Sequence, residues 1–148
     1  MPLTRDEHFM MAALEEARKA FDKQEVPVGV VVVCNDTIIA RAHNLTETLN
    51  DPTAHAEMQA ITAAAGWLGG KYLYECTIYV TIEPCVMCAG AIGWSQAPGL
   101  VYGASDPKKG FSLVNCMLLH PKTKVRAGVL ENECGEIMTR FFKARRVN

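Results

Sequence analysis

Two short motifs restrict what this chain can fold into: Ala54-His55-Ala56-Glu57, at the head of an alanine-rich run, and Glu83-Pro84-Cys85-Val86-Met87-Cys88. One imidazole and two thiolates are three of the four ligands a zinc ion takes. Any fold the chain adopts must therefore bring both segments to one point, leaving a fourth position open to water. Glu57 is then free to move protons. Residues two apart in mid-helix point about 200° away from each other, so His55 and Glu57 converge only at a helix end. Asp51-Pro52-Thr53 supplies a helix-start signal, and the run from Ala54 to Ala65 is expected to close at Gly66. Pro84 likewise precedes a second helix that opens at the cysteines and runs to Ile92. Both metal-binding segments read as helix N-termini, whose partial positive charge favours thiolate over thiol, and the two helices should meet end-on at the metal.

Plainer readings compete. A Cys-x-x-Cys alone serves equally as a redox pair or as half of a zinc finger, and a single helix-end histidine is ordinarily a hydrogen-bonded structural residue. A finger needs a fourth ligand. Cys34, Cys76, Cys116, Cys134, His43 and His120 are available, but none forms a second close-spaced pair. A redox motif leaves the His-x-Glu unexplained. The non-enzyme alternative is a zinc-stabilised RNA-binding subunit, against which Glu57 counts, because a structural metal has no use for a proton shuttle.

At 148 residues and 49% hydrophobic content, residues 1–148 form one domain with ample core. Arg5, Asp6 and Glu7 precede any apolar stretch and no run reaches the ~20 residues of a membrane span, so the expected setting is the cytoplasm. The four cysteines outside the motif are expected to be buried apolar fillers. The net charge of −1 hides a segregation: residues 1–100 hold six Lys+Arg against twelve Asp+Glu (net −6), and residues 101–148 hold nine against four (net +5). Lys108, Lys109, Lys122, Lys124, Arg126, Arg140, Lys143, Arg145 and Arg146 make the basic part. Such a patch suits a phosphate-tracking surface, with Lys108, Lys109, Lys143, Arg145 and Arg146 the candidate RNA contacts, and reads equally as ordinary solvated helix faces.

Thr4 and Glu7 form a capping box, and Phe9, Ala13, Ala17 and Phe21 continue at helical spacing, which predicts a helix from 4 to about 22. Val28 to Cys34 and Thr37 to Ala42 predict a hairpin turning at Asn35-Asp36. Strands follow at 77–81, 100–103 and 124–129, with helices at 111–119 and from 131 to about 145. Strands alternating with helices after a hairpin imply a mixed five-stranded sheet, with the last three strands parallel and both faces covered.

On the zinc motif, together with Val26 to Gly29, Asn44, Tyr79 to Thr81, Val101 to Ala104 and Phe141 to Arg146, the chain resembles the bacterial tRNA-specific adenosine deaminases of the cytidine deaminase superfamily. The resemblance implies a three-layer α/β/α fold and one zinc per subunit on His55, Cys85 and Cys88. The implied reaction is hydrolytic conversion of adenosine to inosine at the wobble position of a tRNA anticodon loop. Zinc-activated hydroxide attacks C6, Glu57 shuttles the proton, and ammonia leaves. The resemblance further implies that Asn44 meets the purine edge, Val28 packs the ring, Asp106 lies near the ribose, Phe142 lies beside the loop, and the enzyme is a homodimer. The Ala56 N–H is a further candidate contact. Asp106 has a second reading as the cap of the Pro107–Gly110 turn, and Phe142 as core. Trp94, after the cysteine helix, also occurs in guanine deaminases, which keeps a free-base deaminase as the alternative, although such an enzyme has no need of a basic tail.

Overall fold

The computed structural model describes residues 2–147, with side chains through Arg145. The first helix, α1 (Arg5–Asp22), starts at the expected capping box: the Glu7 N–H donates to Thr4 Oγ1, and the Thr4 N–H donates to the Glu7 carboxylate. Strands β1 (Gly29–Cys34) and β2 (Thr37–His43) follow, joined at Asn35 and Asp36, both at positive φ (50° and 63°) as a two-residue hairpin turn requires. The chain continues through α2 (Ala56–Leu68), β3 (Cys76–Ile82), α3 (Val86–Ser95), β4 (Gly99–Ala104), β5 (Lys124–Arg126) and α4 (Glu131–Val147).

The sheet order is β2-β1-β3-β4-β5, with β1 antiparallel to both neighbours and β3, β4 and β5 parallel. This is the expected mixed five-stranded sheet. Side chains alternate across it, so each central strand feeds two cores. Val30, Val32, Ile78, Val80 and Leu100 pack with Ala56, Ala60, Ala64 and Ile92 of α2 and α3. Val31, Val33, Tyr79 and Val101 face the other way, onto Phe9, Met10, Ala13 and Leu14 of α1 and Cys134 and Ile137 of α4. Burial on both faces is why Val30 to Val33 read as an uninterrupted apolar run. The α1 layer sits so close that a β-carbon on Gly29 would stand 2.0 Å from the Ala13 carbonyl oxygen.

Four expectations are corrected. Helix α2 runs through Gly66 and ends at Gly69, which takes the left-handed conformation (φ 76°) and donates its N–H to the Ala65 carbonyl. The expected 111–119 helix is a single 3-10 turn at Phe111–Leu113; Val114 and Met117 are exposed and give no apolar face for a helix to bury. The fifth strand ends at Arg126, and Gly128 (φ 83°) turns the chain toward α4. Cys34, Cys76 and Cys134 are buried fillers as expected, but Cys116 is exposed on the irregular loop after the 3-10 turn. Among the described residues, no helix is long and apolar enough to cross a membrane.

Candidate active site

Helices α2 and α3 point their N-termini at one place, and their caps are unusual in the same way. His55 is the N-cap of α2 and Cys85 the N-cap of α3, both in extended conformation, and neither side chain caps its own helix. Instead they face each other. The Cys85 and Cys88 sulfurs lie 3.7 and 3.5 Å from His55 Nδ1, and the three ligand atoms all fall within 4.8 Å of one another. Zn–N bonds of about 2.05 Å and Zn–S bonds of about 2.3 Å at the tetrahedral angle span an N···S edge of about 3.6 Å, so the group fits zinc. Among the described residues, no fourth His, Cys, Asp or Glu joins it.

Glu57, two residues into α2, is buried beside this group. Burial pushes its carboxyl up to about 7, close to the value a proton shuttle needs at neutral pH. The two thiols divide one charge: Cys85 is held down to about 4 by its hydrogen bond with Cys88, and Cys88 is driven up by that bond and by burial. The same set holds the His55 imidazole above its ordinary value, chiefly through Cys85. Metal binding must therefore displace the Cys88 proton and compete with protonation of His55.

The group opens into a cavity of about 880 Å³ at the carboxyl ends of β3 and β4, where open parallel sheets place their ligands. Val26, Val28, Asn44 and Thr46 form one wall with His55, Ala56 and Glu57; Ile82, Glu83, Cys85 and Ala104 to Lys109 form another; Gly135, Met138, Thr139, Phe142 and Lys143 of α4 form the third. Asn44 is buried, yet no described residue hydrogen-bonds its side-chain amide, which leaves its donor and acceptor for a ligand.

The structure thus gathers Val28, Asn44, His55, Ala56, Glu57, Cys85, Asp106, Lys108, Lys109, Phe142 and Lys143 around one cavity, with Cys88 beneath it in the ligand trio. Asp106 also caps its own turn, accepting the Lys108 and Lys109 N–H groups at 3.0 Å each on Oδ1. Phe142 is partly exposed at the rim, whereas its neighbour Phe141 is core. Other basic residues are engaged elsewhere: Arg126 pairs with Asp6, Arg140 lies over Phe21 and Arg145 over Phe141. The Arg146 side chain lies outside the described residues. Trp94 is 84% exposed on the far end of α3 and does not line the cavity.

Sequence reading missed Met138 and Thr139, although they fall three and four residues before Phe142 and so share its helical face. It also missed the support beneath the rim. Glu83 is buried and accepts the N–H groups of Asp106 (3.1 Å) and Ser112 (2.9 Å), fastening the 105–112 loop over the site. A β-carbon at Gly110 would lie 2.4 Å from that carboxylate and would push it off its bonds to the loop.

The sequence model of the MafB19-like deaminase family matches residues 4–146. A tRNA-specific adenosine deaminase of Bacillus subtilis (strain 168) is 48% identical over 149 residues, covering 97% of this chain and 92% of that protein. A solved chain from work on A-to-I editing by tRNA:A34 deaminases at the wobble position of transfer RNA superposes with a TM-score of 0.81 at 44% identity, over 88% of this chain and 98% of that one. A guanine deaminase from Bacillus subtilis superposes with a TM-score of 0.64 at 40% identity, over 67% of this chain and 64% of that one.

Proposed function

Because the chain belongs to the MafB19-like deaminase family, and within it to the tRNA-specific adenosine deaminases, we infer that it converts adenosine to inosine at the wobble position of a tRNA anticodon loop, with release of ammonia. One observation supports this reading above others: the buried Glu57 and the unpaired Asn44 amide open into a cavity whose outer wall carries Lys108 and Lys109 of the loop after β4 and Lys143 of α4. A free base does not need that wall; a loop with phosphates on either side of the target does.

His55, Cys85 and Cys88 would hold one zinc ion per subunit, which would supply the Lewis acidity that activates water at neutral pH. Everything else falls to the chain. Glu57 takes one proton from the attacking water and delivers it to purine N1. Once the C6–O bond has formed, it takes the second proton from the new C6 hydroxyl and hands it to the amine, so that the C6–N bond breaks, ammonia leaves and the 6-oxo base remains. Burial, which raises the pKa of this carboxyl, suits it to both duties. Asn44 holds the purine edge through its free amide, Val28 packs the ring, and the Ala56 N–H, in the first turn of α2, adds a donor. Asp106 has one oxygen committed to its turn and the other available to the ribose. Phe142 offers a stacking face for a neighbouring base, and Lys108, Lys109 and Lys143 meet the phosphates.

The substrate follows from cost as well as kinship. Extracting a base from a duplex costs a few kcal/mol of unstacking, and less from an exposed loop. The working form we propose is a cytoplasmic homodimer of single-domain subunits. Val86, Met87 and Trp94 are exposed along one face of α3, apolar surface that a second copy would cover. The test is an RNA hairpin carrying adenosine at the wobble position, read out as inosine. Rapid turnover of free guanine with the hairpin untouched would overturn the assignment.

A further inference from the structure

Glu25 lies in the connector between α1 and β1, next to Val26 of the cavity wall. Its side chain is completely buried, yet among the described residues it makes no salt bridge. All three of its hydrogen bonds come from two residues across the gap: the Glu47 N–H at 3.1 Å, the Thr48 N–H at 2.6 Å and the Thr48 hydroxyl at 2.7 Å. Burial presses its pKa upward, but the bonds from Thr48 and Glu47 outweigh burial and keep the carboxyl below its ordinary value. Even with the favourable charge of nearby His43, a buried carboxylate outside any ion pair is costly to keep and needs a reason.

The reason lies in what Glu47 and Thr48 belong to. Residues 45–51 close a compact turn in which Leu49 N–H donates to Leu45 O (3.0 Å) and Asp51 N–H to Thr46 O (3.0 Å). The N–H groups at the start of such a turn lack partners within it, and Glu25 caps them from another segment. On one side of the turn stands Asn44, whose N–H is tied to the Val28 carbonyl at 3.1 Å; on the other stand Ala54, which accepts the Leu45 N–H at 3.1 Å, and His55. Glu25 therefore fastens the stretch that carries the purine-facing amide at its beginning and a metal ligand at its end.

We propose that Glu25 is a positioning residue for deamination, holding the 44–51 turn so that Asn44 meets the purine, while His55, the N-cap of α2, is kept at the metal by its own helix. This rests on the deaminase assignment above, and it acts through substrate binding and not through the proton shuttle. Asn44 engages the purine before and during reaction alike, so loosening it weakens binding uniformly and shows in KM.

The experiment compares Glu25→Gln and Thr48→Ala with the wild type on the wobble hairpin, together with zinc content, melting temperature and hydrogen exchange of the 44–55 segment. Glu25→Gln places an amide donor against N–H donors. We expect KM to rise at least tenfold, kcat to stay within threefold, zinc to remain at one per chain, and exchange to quicken from 44 to 51. Thr48→Ala removes one bond of the three from an exposed residue and folds regardless; its KM should rise two- to fivefold. A lower melting temperature with KM unchanged in both variants would overturn the proposal, as would a fall confined to kcat. If the wild type leaves the hairpin untouched, the tRNA-loop assignment fails by itself, and the same KM comparison is read on whichever purine base releases ammonia.

Discussion

His55, Glu57, Cys85 and Cys88 come from the first turns of two helices, where three or four consecutive residues decide the geometry. Asp106, Lys109 and Phe142 reach the same cavity from a loop after β4, which the distant Glu83 fastens, and from the last helix. In the proposed function the first region does the chemistry, and its geometry is set locally. The second recognises, and its geometry is only as good as its supports. Rate should therefore be lost in the first region with binding spared, and binding in the second with rate spared.

The sharpest break is Glu57→Gln, which preserves shape and removes the transferable proton. Positioned acid–base groups contribute about 10²–10⁴-fold, so ammonia release should fall by that factor while zinc content and hairpin affinity hold. A variant that loses zinc or fails to fold would mean that Glu57 belongs to the scaffold, and the division between regions would be wrong.

A second test sits on two adjacent residues of α4. Phe141 is buried and touches Phe21, while Phe142 stands at the cavity rim. Phe141→Ala should lower stability by about 3–5 kcal/mol through the cavity it leaves. Phe142→Ala should leave the melting temperature nearly unchanged and lower kcat/KM on the hairpin about tenfold, the worth of one stacked base.

The contrast also explains which parts of the molecule could be read in advance. The mixed sheet follows from strands alternating with helices after a hairpin, burial on both faces from the uninterrupted apolar run Val30 to Val33, and the metal trio from residue type at fixed spacing; such signals are local. Glu25 and Glu83 gave no such signal, because a buried acid looks like any other acid until its distant N–H partners are in place. The 111–119 stretch shows the opposite failure: its apolar residues suggest a helix, but Val114 and Met117 have no core to face and stay exposed. Arg126 read as part of a basic patch, yet the fold spends it on Asp6.

The lysines at the rim should show a smaller effect, visible mainly through salt. Replacing Lys108 and Lys109 by Ala should lower hairpin affinity several-fold at low salt. It should also flatten the slope of log affinity against log salt by about 0.7 for each lysine that meets a phosphate. An unchanged slope would take these two residues out of the RNA contact surface.

The mildest effect is expected away from the cavity, where Asp6 accepts from Arg126 Nε (2.6 Å) and Nη2 (3.0 Å) and from the buried Tyr79 hydroxyl (2.8 Å). The Arg126 hydrogen bond, helped by Tyr79, outweighs burial and holds the Asp6 carboxyl below its ordinary value. A depressed carboxyl stabilises the fold fully above its unfolded value of about 4, and that contribution disappears as pH falls through the folded value. Asp6→Asn should thus cost about 1 kcal/mol at pH 7, the net worth of a charge-assisted surface contact, and the difference from wild type should shrink as the medium is taken below pH ~4. Deamination at neutral pH should be untouched, because Asp6 contacts neither the metal trio nor the rim. A loss of activity with full stability would show that the α1 face and the cavity are coupled, and the separation between a frame that holds and a cleft that acts would have to be redrawn.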